Sequence, residues 1–169
     1  MATTARWEAP REFDEFIRAR HAALLRFAHV LCGDPHQAAD LVQDALERTG
    51  LAWRRLHHDD PEAYVRRVIV NTFLNGVRRL RRERLVAQPP EVAYQPPDPR
   101  DETLWRLLRT LPPRQRAVVV LRFYADLSEA EISTVLGCTV GTVKSTSSRA
   151  LAKLRAALSQ PAEGGAGRG

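Results

Sequence analysis

Five prolines fall between residues 86 and 100, in the stretch Val-Ala-Gln-Pro-Pro-Glu-Val-Ala-Tyr-Gln-Pro-Pro-Asp-Pro-Arg. Proline fixes φ, removes a backbone donor and biases its predecessor away from helix. The stretch therefore reads as a stiff, extended linker rather than a folded element. It divides the 169-residue chain into two halves, each near the size where a core is only marginally sufficient. On both sides apolar residues recur at helical period, and no sustained period-two alternation appears. The expected fold is all-α: two small helical domains, residues 12–85 and 101–159, joined by the Pro-rich linker 86–100. A loose tail is expected at 1–11 and a disordered one at 160–169.

In the N-terminal half, Phe13, Phe16, Ile17, Leu24, Phe27, Ala28 and Leu31 mark a first helix that Gly33 closes. Asp34-Pro35 supplies an N-cap and a first-turn proline for a second. Its apolar face runs Ala38, Leu41, Val42, Ala45, Leu46, Ala52, Trp53, Leu56, with Gly50 inside the pattern as a point of weakening or kinking. Asp60-Pro61 repeats the start signal ahead of Tyr64, Val65, Val68, Ile69, Phe73, Val77 and Leu80. In the C-terminal half the period resumes at Leu104, Leu107, Leu108 and Leu111. Pro112-Pro113 forces a turn, and a further helix carries Val119, Val120 and Phe123.

Residues 128–155 have the pattern of a helix-turn-helix, the C-terminal domain's defining feature. Ser128 and Glu131 have capping-box spacing. Ile132, Val135 and Leu136 form an apolar face, and Gly137 ends the helix because glycine takes the left-handed C′ conformation cheaply. Thr139 is the N-cap of a second helix. Val140, Val143, Ala150, Leu151, Leu154 and Leu158 would face its core. Thr142, Lys144, Ser145, Thr146, Ser148 and Arg149 fall mostly on the other faces, where hydroxyls and amines reach phosphates and base edges. The competing reading is an ordinary helical hairpin with a solvated basic face.

The formal charge is +6, and all but Lys144 and Lys153 of the 26 basic residues are arginine. A basic balance suits an anionic partner but does not distinguish DNA, RNA or membrane, and Arg- and Ala-rich composition also follows from genomic base bias. The positions say more. Arg66, Arg67, Arg78, Arg79, Arg81, Arg82 and Arg84 load the third helix and its exit. Arg66, Asn71, Asn75, Arg78 and Arg82 can lie away from the Val65/Val68/Ile69/Phe73 face. Arginine neutralises phosphates, while Asn71, Thr72 and Asn75 could meet bases or backbone. Phe73 and Tyr64 could stack on unpaired bases, although core spacing favours Phe73 as core. The second helix differs, with Asp40, Asp44 and Glu47 around Leu and Val. From the residues alone, a solvated face and a surface for a basic protein partner stand level.

Other chemistries find little support. His57-His58-Asp59-Asp60, with Cys32 and His36, offers possible ligands. Adjacent loop residues rarely converge on one metal, however, and no Cys-x-x-Cys or His-Glu-x-x-His pattern exists. No phosphate loop or nucleophile elbow is present. Neither a metal, a cofactor nor catalysis is expected. Cys32 and Cys138 show no framework spacing, which suits a reducing cytoplasm, and Cys138 reads as a small buried turn residue. No segment approaches the roughly 20 apolar residues of a membrane helix, so no membrane insertion is expected.

These segments together resemble a family. Ala39-Asp40-Leu41-Val42-Gln43-Asp44-Ala45-Leu46, with Trp53 further on, resembles region 2.2 of sigma-70-type factors. Arg66 to Asn75 is similar to their regions 2.3 and 2.4. Leu111-Pro112-Pro113-Arg114-Gln115-Arg116 followed by the helix-turn-helix resembles region 4. Without a recognisable long region 3, the chain resembles the small extracytoplasmic function (ECF) group, and the Gln43–Trp53 spacing looks most like its actinobacterial SigE-like subgroup. The resemblance covers about residues 12–158.

The resemblance implies a factor that binds core RNA polymerase, recognises −35 and −10 promoter elements and promotes melting, working in the cytoplasm at the nucleoid. Asp40, Leu41, Gln43 and Asp44 would dock on the β′ clamp coiled coil. The β flap would be a further contact on the polymerase. Arg66, Asn71, Asn75, Arg78, Arg79 and Arg82 would engage the −10 element, with Tyr64 a weaker candidate. Thr139, Thr142, Lys144, Ser145, Thr146, Ser148 and Arg149 would read the −35 element. An anti-sigma factor is a further candidate partner. The family often has Arg where this chain has Thr146, so one bidentate guanine contact is missing. The alternative is an autonomous helix-turn-helix regulator. Such proteins usually dimerise, and the sequence shows neither a heptad nor a spare apolar face.

Overall fold

The structure, a computed structural model, describes residues 10–56, 60–83 and 99–160. All elements among the described residues are helical: α1 (Arg11–Cys32), α2 (Pro35–Ala52), α3 (Pro61–Glu83), α4 (Pro99–Leu108), α5 (Pro113–Val119), α6 (Glu129–Leu136) and α7 (Val140–Ser159). They divide into two compact units, one up to Pro89 and one from Pro90. The expected linker is shortened at its end, because Pro99 and Arg100 already belong to α4. Residues 84–98, both expected tails apart from Pro10, Arg11 and Gln160, and His57, His58 and Asp59 lie outside the described residues.

The first unit is a three-helix arrangement in which α2 packs on both α1 and α3. Gly33 ends α1 at φ 74°, its N–H donating to His29 O at 2.7 Å. Asp34 then caps α2, its Oδ1 accepting from the N–H groups of His36 (2.7 Å) and Gln37 (3.1 Å). Gly33 thus brings α2 back across α1 without leaving the first-turn donors orphaned. Leu24, Phe27, Ala28 and Leu31 of α1 meet a core of Val42 and Ala45 from α2 and Val65, Ile69, Val70 and Phe73 from α3. Phe73 is core, as its spacing indicates. Helix α2 runs through the buried Gly50 to Ala52 and tightens only there, into a 3₁₀ turn at Trp53–Arg55. Trp53 closes the end of this core, its ring 5.0 Å from Phe13 and 5.5 Å from Phe16.

In the second unit α5 and α6 both pack on α7. Helix α5 continues as a π turn, Val120–Tyr124, rather than a longer α-helix, and this leaves Phe123 61% exposed. Arg116 of α5 is buried, with its guanidinium 4.9 Å from the centroid of the Trp105 ring of α4, a cation–π contact between the two helices rather than a solvated charge. The capping box at Ser128 is complete: Glu131 N–H donates to Ser128 Oγ at 3.2 Å and Ser128 N–H to Glu131 Oε2 at 2.7 Å. Gly137 ends α6 at φ 62°. Thr139 caps α7, Oγ1 accepting from Thr142 N–H at 3.1 Å. The helix-turn-helix is therefore fixed at both caps and at its turn by residues whose chemistry suits those places.

Two residues assigned to the α7 core are outside it. Val140, in the first turn, and Leu158, near the end, are 38% and 66% exposed. Leu80, at the corresponding end of α3, is also exposed. Helical period places a residue on the right stripe, but the stripe is covered only where another helix lies against it.

Candidate nucleic-acid interface

On α7 the buried stripe is Val143, Thr146 and Ala150, spaced three and four residues apart. Thr146 therefore departs from the expectation that it faces outward: at 9% exposure it belongs to the packed side. This position is filled by a small side chain inside the domain. The other α7 positions predicted to meet DNA, Thr142, Lys144, Ser145, Ser148 and Arg149, are exposed, as is the cap Thr139. The Thr139 and Thr142 hydroxyls lie 2.9 Å apart, and Ser145 Oγ donates to Thr142 O at 3.1 Å. The face is a run of hydroxyls, each retaining acceptor capacity, with two cations. One of them, Lys144, has its Nζ 3.8 Å from Glu129 Oε2 on α6.

On α3 the predicted residues separate by position. Asn75, Arg78, Arg79 and Arg82 are exposed, with Arg67 and Arg81, and Asn71 is half-buried. Arg79 Nε lies 3.3 Å from Glu83 Oε1, a pair open to solvent that competes weakly with any phosphate. Arg66 is drawn inward instead. It is half-buried, pairs with Glu62 one turn back and lies over the Phe27 ring at 5.9 Å. Glu62 also pairs with Arg20 of α1 at 3.2 Å. The Arg20–Glu62–Arg66 cluster ties α1 to α3, so Arg66 acts first on the domain that presents the other arginines. Tyr64 is half-buried.

The α2 residues also divide. Asp40 and Gln43 are exposed, whereas Leu41 is buried at 6% and Asp44 is half-buried. Asp44 Oδ2 accepts from Thr72 Oγ1 of α3 at 3.4 Å, and the same carboxylate pairs with Arg48 at 3.1 Å. Gln43 Nε2 donates to Glu47 Oε1 at 3.2 Å along the same face. Phe13, Ile17, His21 and Leu25 of α1 and Ala39, Gln43, Leu46 and Glu47 of α2 line a cavity of about 510 Å³. The exposed part of α2 is thus acidic and amide-bearing, beside an apolar depression. Sequence reasoning assigned no role to Glu129 and did not foresee the bond that Thr72 makes with Asp44. Both contacts join residues on different helices, and neither leaves a local pattern.

Among the described residues no group of three or more His, Cys, Asp and Glu side chains is placed to hold a metal. Cys32 and Cys138 form no disulfide and are both half-buried, and the Cys32 thiol donates to Asp34 O at 3.3 Å. No described helix is long and apolar enough to cross a membrane.

Residues 16–83 match the family described as Sigma-70 region 2, and residues 101–154 match Sigma-70, region 4. The chain is 42% identical over 154 residues to the RNA polymerase sigma-E factor of Streptomyces coelicolor, covering 87% of this chain and 86% of that one. It is 33% identical to the ECF RNA polymerase sigma factor SigE of Mycolicibacterium smegmatis, over 85% of this chain and 60% of that one. Among solved structures it resembles CnrH in complex with the cytosolic domain of CnrY, with a TM-score of 0.60, 28% identity and 88% of each chain covered. The sigma factor RpoE in complex with the anti-sigma factor NepR from Bartonella quintana shares the fold, with a TM-score of 0.69 at 23% identity over 88% of this chain and 98% of that one. The chain belongs to the sigma-70 family, in its ECF group. An autonomous helix-turn-helix regulator would need no region 2, so the match over residues 16–83 disfavours that alternative.

Proposed function

We propose that this ECF sigma factor divides its work by helix: the exposed α2 face for core RNA polymerase, the α3 arginines for the −10 element, and the α7 hydroxyl face for the −35 element. The observation that carries this reading is the separation of charge within the first unit. Asp40 and Gln43 on α2 are exposed and suit a basic protein surface, while Asn75, Arg78, Arg79 and Arg82 on α3 are exposed and suit phosphates. Leu41 and Asp44 hold α2 in place, and Arg66 does the same for α3. In the second unit Lys144 and Arg149 are the cations on the reading side of α7, with Thr139, Thr142, Ser145 and Ser148 beside them.

The exposed faces support a mechanism in two parts. Duplex DNA admits a helix into its major groove, where hydroxyls and amines meet base edges. At the −10 element, bases leave the stack at a cost of a few kcal/mol, offset by contacts to the extruded base and to the backbone. The α3 arginines supply the backbone part, and Asn71 and Asn75 carry amides that can donate to and accept from a base. Bond making in RNA synthesis belongs to the polymerase. Such work belongs to the cytoplasm and its nucleoid. An anti-sigma factor fits as a second partner, because the solved relatives CnrH and RpoE are each in complex with another protein, in the latter case an anti-sigma factor.

Size-exclusion chromatography of the chain with core RNA polymerase tests the first step, with nuclease present and at moderate salt. Co-elution, followed by run-off transcripts from selected promoters, is the expected outcome. Failure to co-elute combined with tight DNA binding by the chain alone would return the autonomous regulator.

A further inference from the structure

The reading side of α7 is poor in charge. Between Thr139 and Arg149 the only cations are Lys144 and Arg149, and Lys144 is one of two lysines in the chain. Lys144 is also accompanied: its Nζ lies 3.8 Å from Glu129 Oε2, with the two side chains 65% and 35% exposed. Glu129 opens α6, but the capping box there is made by Glu131. The carboxylate at 129 is therefore not needed to close the helix end, and an exposed pair at this distance stabilises the fold little. Its effect falls on what Lys144 can bind. A phosphate that approaches the ammonium also approaches the carboxylate and is repelled by it. A base edge offers acceptors without net charge, such as guanine O6 and N7, and is repelled far less.

We propose that Glu129 is a specificity-determining residue for −35 recognition: it keeps Lys144 from serving as a phosphate clamp and reserves its ammonium for acceptors on a base edge. This rests on the reading that α7 enters the major groove. The hydroxyl-rich remainder of the face accords with it, because Thr139, Thr142, Ser145 and Ser148 bring hydrogen-bonding groups without adding positive charge. A reading head so built depends less on sequence-independent charge than an arginine-lined one would.

The test uses holoenzyme assembled from the full chain and core RNA polymerase. A randomised duplex pool yields the preferred sequence, and affinities for the selected and a scrambled duplex are then followed against KCl. Glu129→Gln is expected to tighten binding to the scrambled duplex roughly two- to fivefold, the scale of one exposed charge pair. It should also steepen the log–log salt slope by about 0.9, as for one added phosphate contact. The selected duplex gains less, so discrimination falls. In a Lys144→Ala background the same change should move neither quantity. Equal gains on both duplexes with unchanged slopes, or an effect that persists without Lys144, would overturn the proposal. A thermal scan identifies a merely structural role, which lowers the melting temperature and leaves the slopes alone. If the wild-type holoenzyme selects no sequence, the −35 reading itself fails; if it selects one and the variant's slopes coincide with wild type, only the role of Glu129 fails.

Discussion

Two glycines in open surroundings should respond to alanine with opposite signs. At Gly76, inside α3, and at Gly137, which ends α6, an added Cβ would meet nothing within 4 Å. Side-chain contacts therefore contribute nothing to either substitution, and the backbone decides. Gly76 has helical neighbours on both sides. Alanine is favoured over glycine in a helix interior by about 1 kcal/mol, in part because glycine has more unfolded-state freedom to lose. Gly137 sits at φ 62°, where an L-residue pays about 1–2 kcal/mol. After the unfolded-state gain, Gly137→Ala should still destabilise by about 1 kcal/mol. For units of this size that corresponds to a shift of roughly 4–8 °C in Tm. Urea unfolding of the full chain, with amide exchange read peptide by peptide, reports on each unit separately. Gly76→Ala should raise protection in α1–α3 and leave α5–α7 unchanged, and Gly137→Ala should lower it in α5–α7 alone. Loss of stability in Gly76→Ala, or none in Gly137→Ala, would refute the claim that backbone conformation alone sets these signs.

Further outcomes follow from the same structure. Arg149→Ala should weaken binding to a −35 duplex and spare association with core polymerase, whereas Asp40→Asn with Gln43→Ala should do the reverse; equal loss of core binding in both would contradict the division by helix. Ile132→Ala should cost about 2–5 kcal/mol, because Ile132 of α6 is fully buried. Calorimetry should then show one unit melting early while the other is unchanged. The Glu131 carboxyl is held below its ordinary range by the hydrogen bonds from the Ser128 backbone N–H and from the Ser128 hydroxyl. A depressed folded-state pKa gives stability that is present above the ordinary value and lost as pH falls through the folded one. Ser128→Ala should therefore destabilise α6 near neutrality and reduce the acid sensitivity of its amide protection, which a pH series of exchange rates would detect.

The helices were legible because their ends carry local chemistry. Asp34-Pro35, Asp60-Pro61, Ser128 with Glu131, Thr139, Gly33 and Gly137 each do at a helix end what their side chains or backbone freedom allow, and the structure has a boundary at each. The π turn after Val119 left no such mark. Val119, Val120 and Phe123 have spacing compatible with continued α-helix, and only the backbone hydrogen bond from Ala125 N–H to Val120 O, 3.0 Å long, shows that the chain widened there. Burial at helix ends was equally hidden: Leu80 and Leu158 continue the apolar period beyond the reach of a neighbouring helix.

The candidate site was legible in composition and less so in geometry, for one physical reason. A polar side chain serves a partner with whatever hydrogen-bonding and charge it has not already used inside its own domain. Arg66 shares Glu62 with Arg20, Asp44 accepts from Thr72 and pairs with Arg48, and Thr146 is packed beside Val143 and Ala150. Each was assigned to an interface because its residue type and helical face suited one, yet the decisive neighbour lies on another helix or in the packing of the domain. Asp40, Asn75, Arg78, Arg82, Ser148 and Arg149 remain exposed on their helices. Truncating this second group should change binding with little change in stability, whereas truncating the first should change stability and, through it, both kinds of binding together. Lys144 stands between the groups, exposed yet paired, and for that reason its partner Glu129 can bias what it binds without being needed for the fold.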